Sequence, residues 1–314
     1  MTAEAGGTMT HEADGAMTHE RGLMASELLA PALTGALAAT STAVERVSRA
    51  HDDAEAVHDM RVGIRRMRTV LNAGRGLYGR KAAERLIDQL RTVSKATNAL
   101  RDEEVLGDTI AMLELAPPLQ ATATAWIERR VALLGELRAM GLAMLDGSGI
   151  RHVLGALGDL AARPPKRDQD ALDFAREQLL LARRELCALL PEVAARDGVA
   201  LHRLRIRFKR LRYTAEMLAG SLRASPDEPV LPGAEAYLAV ARHAAGFQKE
   251  LGLIHDADVA LETAKIARDL DEDTRAAVVL GLARIRDQLA DRAMARLVSE
   301  VAALAMPGAA AGDR

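Results

Sequence analysis

One basic stretch occurs twice in this chain, VHDMRVGIRRMR at residues 57–68 and LHRLRIRFKRLRY at residues 201–213. With His58 set on His202, Arg61 falls on Arg205, Arg65 on Lys209, Arg66 on Arg210 and Arg68 on Arg212, without a gap. At about 100° per residue, His58, Arg61, Arg65 and Arg68 lie within an arc of roughly 80°. Met60, Ile64, Met67 and Leu71 gather on a separate face. In the second copy His202, Arg205, Lys209 and Arg212 form the basic stripe, and Leu204, Phe208, Leu211 and Ala215 the apolar one. Each copy is therefore expected to be an amphipathic helix whose polar face carries one sign of charge. An ordinary solvated face mixes signs, so that residues three and four apart attract each other.

Such a stripe repels itself. Residues 201–213 hold six Lys or Arg and no acid, and residues 57–68 hold four Arg against the single Asp59. An extended anion would neutralise the row, because arginine presents a rigid fork of donors to phosphate oxygens. From His58 to Arg68 the stripe runs about 15 Å at roughly 1.5 Å per residue, which suits a chain of phosphates better than one small anion. With net +3 on the first stretch and +6 on the second, the second is expected to contribute more to affinity.

The paired H-x-x-R-x-x-x-[RK]-R-x-R helices resemble the CHAD family, the conserved-histidine α-helical domain. A second feature of that family also appears twice, as LRTVSKATNALRDEEVL at residues 90–106 and FQKELGLIHDADVAL at residues 247–261. Lys95 then matches Lys249, Asp102 matches Asp256 and Val105 matches Val259, while His255 stands where the first copy has Arg101. The resemblance spans roughly residues 23–306 and implies an all-α, internally duplicated fold that binds inorganic polyphosphate. It also implies that the two basic helices face a shared groove or pore in a pseudo-twofold arrangement. Arg66 and Arg210, at the edge of the stripe, join the expected site mainly through the family motif, and Lys95 and Lys249 are expected to assist.

Length and composition agree with that class. The 314 residues suffice for a sizeable core, and 49% of them are hydrophobic while only 2% are aromatic. Such a core must be built from Ala, Leu, Val and Met, the palette of packed helices. A formal charge of −2 leaves any attraction for a polyanion to the local clusters. The acidic run Asp269, Asp271, Glu272 and Asp273 reads as a solvated helix end or loop.

In chain order, residues 1–22 read as a disordered tail, and a metal role for its His11 and His19 is set below that reading. Residues 28–44 carry no charge but contain Pro31 and Gly35 and follow no basic leader, so a buried helix is expected and no membrane span. The lone Cys187, beside Leu186, Leu189 and Leu190, reads as a core thiol and excludes a disulfide framework, making the cytoplasm the default. Gly74, Gly76 and Gly79 mark a turn before a helix from about Arg80 to Thr97, on which Lys81, Arg85, Asp88 and Lys95 share a face. Asp102 and Asp256 are expected to open helices as N-caps or to pair with an arginine, with a metal site or general acid as the alternative. Pro117 and Pro118 end one helix, and a long one follows through Trp126 to Leu145, whose Arg129 and Arg130 only loosely match Arg284 and Arg286. Residues 147–170 join two repeats, of about residues 23–160 and 161–306, and residues 307–314 form a flexible tail. The longer loop of the second repeat falls at residues 225–233.

A lone helical histidine is more often structural. Here His58 and His202 sit at matching ends of the stripes, where a hydrogen bond to phosphate would favour their protonated form. Tyr213 has Thr69 as its counterpart and carries little weight. The expectation is non-enzymatic binding of inorganic polyphosphate, with no cofactor and no metal, on polyphosphate granules in the cytoplasm. Nucleic acid is the second reading, disfavoured because three Phe, three Tyr and one Trp leave few platforms for stacking bases. A phosphohydrolase ranks third, since no metal-ligand motif or Gly-rich phosphate loop lies beside the basic helices. Many members of that family carry a triphosphate-cleaving domain, for which this sequence has no residues left over.

Overall fold

The computed structural model describes residues 22–49, 53–132, 134–147, 149–193, 196–221 and 234–300. Among these the chain is all-α: thirteen helices and, in place of strands, one isolated bridge between Met24 and Asp170. The first are α1 (Ala25–Arg49), α2 (Ala54–Ala73), α3 (Arg75–Tyr78), α4 (Arg80–Ala96), α5 (Asn98–Ala111), α6 (Pro117–Ala132), α7 (Leu134–Gly147) and α8 (Ile150–Ala161). They are followed by α9 (Ala171–Cys187), α10 (Leu190–Val193), α11 (Gly198–Ser221), α12 (Ala234–Ile266) and α13 (Glu272–Glu300). The N-terminal tail with His11 and His19, the loop at 225–233 and the C-terminal tail lie outside the described residues.

The uncharged residues 28–44 form the middle of α1, with Leu28, Leu29, Leu33, Ala36, Ala43 and Val44 in the core. By length and composition α1 is apolar enough to cross a membrane; in this fold its stripe is covered by α2, α8, α9 and α11. The approach to α2 is close, since a Cβ added at Gly63 would lie 2.0 Å from Thr40 Oγ1. Asp53 caps α2 by accepting from the Ala56 N–H at 2.8 Å. Arg46 of α1 reaches Asp53 at 3.0 Å and Asp59 at 2.7 Å. The only acid in the first basic run is therefore held by α1 and does little to neutralise the stripe.

Burial explains why α2 and α11 are helices despite their like charges. Met60, Ile64, Met67 and Phe208 are fully buried, and Leu71, Leu204, Leu211 and Ala215 nearly or fully so. Each large apolar side chain contributes about 1.5–3 kcal/mol on burial, against about 0.2–0.5 kcal/mol lost per like-charge pair one turn apart. The apolar face wins on both helices. Phe208 stacks on Phe247 of α12 with ring centroids 4.6 Å apart, fastening α11 to α12.

Buried residues fall into two clusters. The larger joins α1, α2, α4, α8, α9 and α11 with the first part of α12 and the last part of α13. The smaller gathers Leu106, Ile110, Leu113 and Trp126 with Ala260, Ala264, Val278 and Leu282. Charged residues of α5 and α12, Arg101, Lys249 and Asp256, join those of α2, α4 and α11 in the site.

Several expectations are corrected. Residues 147–170 contain α8, whose Ile150, Val153, Leu154, Leu157 and Leu160 are buried, so this stretch is part of the core and no mere connector. Cys187 is exposed: Leu186 takes the inward position at the end of α9, and the next residue is carried about 100° around the helix. Asp102 and Asp256 cap nothing. Asp102 lies inside α5, whose N-cap is Thr97, and Asp256 lies within the unbroken α12. Pro117 and Pro118 open α6, where a missing N–H costs nothing, since α5 has already ended at Ala111. The turn before α4 is as expected, with Gly79 in a left-handed conformation at φ 89° that favours glycine. Asp271 accepts from the Thr274 N–H at 2.9 Å and so starts α13, in keeping with an acidic helix end.

Candidate anion-binding site

Helices α2 and α11 touch, and their basic residues line one cavity of about 440 Å³. His58, Arg61 and Arg65 come from α2, Arg205 and Lys209 from α11, Arg101 from α5, and Lys249 and Asp256 from α12. A second recess of about 330 Å³ shares Arg61 and Arg65 and adds Arg68, with Arg91 and Lys95 from α4. The shared arginines make the two recesses one cationic track. Asp256 is the only carboxylate lining it among the described residues.

Arg61 and Arg65 donate to neutral groups, while Arg91 bonds the Asp88 carboxylate at 2.7 Å, one turn before it on α4. Arg61 donates to Thr97 Oγ1 at 2.6 Å and to the Ser94 carbonyl at 3.2 Å, at the junction of α4 and α5. Thr97 is itself buried and accepts there because the chain breaks helix at this point. Arg65 donates to the Tyr213 hydroxyl across the α2–α11 contact, and its guanidinium lies 5.3 Å from the centre of that ring. Arg212 lies 5.5 Å from the same ring, so Tyr213 sits against both arginines. The Nε atoms of Arg68 and Arg205 are buried and have no hydrogen-bond partner. An unmatched buried donor is costly, and an anion oxygen would relieve the deficit around these groups.

Crowding of positive charge perturbs the titrating groups. Burial, reinforced by Arg205 and Arg65, pulls Lys209 down from 10.5 to about 7. Burial, with Arg205, His202 and Lys209, takes His255 down to about 4, and burial with Arg205 and Lys209 also lowers His202. Burial raises Asp256 above 3.8 despite its cationic neighbours. Burial first, with neighbouring arginines, lowers Arg68 and Arg205 below the ordinary guanidinium range, yet arginine stays charged in proteins.

Eight of the twelve expected site residues are brought together on this track: His58, Arg61, Arg65, Arg68, Lys95, Arg205, Lys209 and Lys249. Four are not. His202 is not among the residues lining the cavity, and its Nδ1 lies 3.3 Å from that of His255. Arg66, about 100° around α2 from Arg65, lines a separate cavity of about 600 Å³ together with Arg212. Arg212 bonds Glu216 at 2.6 Å, one turn along its own helix. Arg210 and Arg207 share Glu185 of α9, and Arg203 bonds Glu192 of α10 at 3.1 Å. The surplus charge of α11 is thus largely matched by acids from elsewhere in the chain, which reverses the basis for expecting the second helix to dominate.

Arg91 and Arg101 belong to the track and were missed in the sequence. Arg91 stands one helical turn before Lys95, a spacing that could have found it. Arg101 is the first residue of the R-D-x-x-V motif, and since His255 stands in its place in the second copy, the match between the copies does not reveal it. Arg129 and Arg130 stay off the track: Arg130 binds Glu103, and Arg129 donates to the Asp269 carbonyl at 3.3 Å. Arg286 binds Asp258 at 3.2 Å. The part-buried pairs Arg130–Glu103 and Arg286–Asp258 tie α5 to α6 and α12 to α13.

Comparison with known proteins agrees with the helical architecture. The crystal structure of the CHAD domain from the plant Ricinus communis superposes with a TM-score of 0.61 at 21% identity, covering 90% of each chain. PptA from Streptomyces chartreusis superposes with a TM-score of 0.67 at 17% identity, covering 88% of this chain and 100% of that one. Two uncharacterized Mycobacterium tuberculosis proteins, MT2285 of strain CDC 1551 / Oshkosh and Rv2226 of strain H37Rv, are each 31% identical over 198 residues. Those matches cover 54% of this chain and 35% of each relative, so the chain spans about a third of the length of the curated relatives it matches. The family model described as CHAD domain matches residues 31–265, well over half of the sequence. The chain belongs to the CHAD domain family.

Proposed function

We propose that this chain binds inorganic polyphosphate along the track of α2, α4, α5, α11 and α12, and holds it without turnover. The observation that carries the reading is the imbalance of the track: Arg65, Arg68, Arg205, Lys209 and Lys249 line it beside a single lining carboxylate, with Arg91, itself bonded to Asp88, at its edge. A flexible chain with a charge on every unit would answer that row, each guanidinium taking two phosphate oxygens. Holding without turnover rests on the make-up of the lining. Its donors are guanidinium and ammonium groups, and Asp256 lies close to Arg205, Arg101 and Lys209. Residence on polyphosphate granules in the cytoplasm would follow from such binding.

The test is a salt-titrated binding assay of the full chain against long-chain polyphosphate, with RNA of matched charge as competitor. Tight binding that survives excess RNA is the expected result, since the track has arginines but offers bases almost no stacking surface. Equal competition by RNA would make the track a generic polyanion surface. Release of orthophosphate from the bound chain would contradict holding without turnover.

A further inference from the structure

Two lysines line the main cavity. Lys249 is exposed, while Lys209 is half-buried among groups from four helices. Arg205 and His202 flank it on α11, Arg61 and Arg65 face it from α2, Arg101 from α5, and Asp256 and His255 from α12. Among the described residues no carboxylate lies within ion-pair distance of its ammonium, and Glu185, which binds α11, is taken by Arg207 and Arg210. Burial and the two nearest arginines leave Lys209 only partly charged near neutrality, at about 7 where lysine ordinarily titrates at 10.5.

An anion laid beside such an amine changes the balance. It faces the ammonium with opposite charge and restores the protonated form. We propose that capture of a phosphate chain in this cavity takes up a proton at Lys209, so that the protein binds the anion less tightly as the solution becomes alkaline. The inference rests on the polyphosphate reading above and assigns one residue of that site a titrating role.

The sign follows from linkage. Between the free and the bound titration points the complex carries one more proton than the free protein, and affinity falls by up to ~tenfold per pH unit. Below about 7 Lys209 is protonated in both states, and this dependence vanishes. His255, at about 4, and His202, lowered from 6.5 by burial, titrate on the acid side of that window. The arginines hold their charge throughout. His58, Asp256 and Lys249 share the cavity, so the Lys209 variants are what assign the proton taken up in the alkaline window.

The experiment is calorimetric titration of the full chain with long-chain polyphosphate at about pH 7.5 and about pH 8.5, in buffers of different ionisation heat, which counts protons taken up. The wild type should take up close to one proton per site and lose up to ~tenfold in affinity between those values. Lys209→Arg, whose charge is fixed, should take up none and show a flat profile. Should that variant fail to unfold cooperatively on heating, Lys209→Met serves instead: it should bind more weakly near neutrality, again with no uptake. Uptake unchanged in these variants, or no uptake by the wild type, overturns the proposal while leaving polyphosphate binding intact. Failure of the wild type to bind at any pH overturns the polyphosphate reading itself.

Discussion

Replacing Arg61, Arg65 and Arg68 together by Gln should weaken polyphosphate binding far more than replacing Arg203, Arg207 and Arg210, although each set removes three arginines from a basic helix. The first three line the cationic track. The second three are bonded to Glu192 and Glu185 and lie outside it. At about 1.5 kcal/mol for each charged hydrogen bond lost, the first triple variant should lose about 4.5 kcal/mol, roughly a thousandfold in affinity. The slope of log affinity against log salt should also fall by about 2, taking ~0.7 for each phosphate neutralised on a flexible single chain. For the second triple variant neither quantity should change appreciably, because its arginines lie off the track and are bonded to Glu185 and Glu192. A salt series of binding isotherms with labelled polyphosphate reads both numbers, and far-UV circular dichroism confirms that both variants stay helical. Equal losses would refute the reasoning, since local charge count and not tertiary placement would then govern affinity.

Other consequences concern the fold and its titrating groups. Gly63→Ala should destabilise the protein by about 1–3 kcal/mol as α1 and α2 are forced apart, read as a lower thermal midpoint, and the loss should shrink when Thr40 is also Ala. An unchanged midpoint would mean that Thr40 yields freely. Without anion, the wild type should gain stability as pH rises from about 7 towards 10.5, because folded Lys209 holds fewer protons than the unfolded chain there. Lys209→Met should be more stable than wild type near neutrality and lack that rise; identical pH profiles of the thermal midpoint would contradict this. The exposed Cys187, the single cysteine of the chain, should react with one equivalent of a thiol reagent in the native protein, and protection until unfolding would contradict its placement.

Much of the fold could be read from period and composition. The apolar faces of both basic helices, Met60 to Leu71 and Leu204 to Ala215, are the faces that are buried, because a spacing of three and four leaves a helix one place to put its methionines and leucines. The span of α4 was legible from the glycines before it. What failed was what depends on partners distant in sequence. Residues 201–213 contain no acid, yet Glu185 and Glu192 come from α9 and α10 to hold Arg203, Arg207 and Arg210. Cys187 was placed inside by its leucine neighbours, although adjacent residues on a helix point about 100° apart. The two copies of the lysine- and aspartate-bearing segment also differ in form. In the first the helix breaks at Thr97, which then anchors Arg61; in the second α12 runs through, and His255 meets His202 instead.

The most direct measurement is a crystal structure of the full chain with a polyphosphate of defined length. Phosphate density should run between α2 and α11, within hydrogen-bond reach of Arg65, Arg68, Arg205 and Lys209, and pass Lys95 and Lys249 at its two ends. Phosphates found instead along Arg203, Arg207 and Arg210, or in the cavity of Arg66 and Arg212, would contradict the assignment of the track.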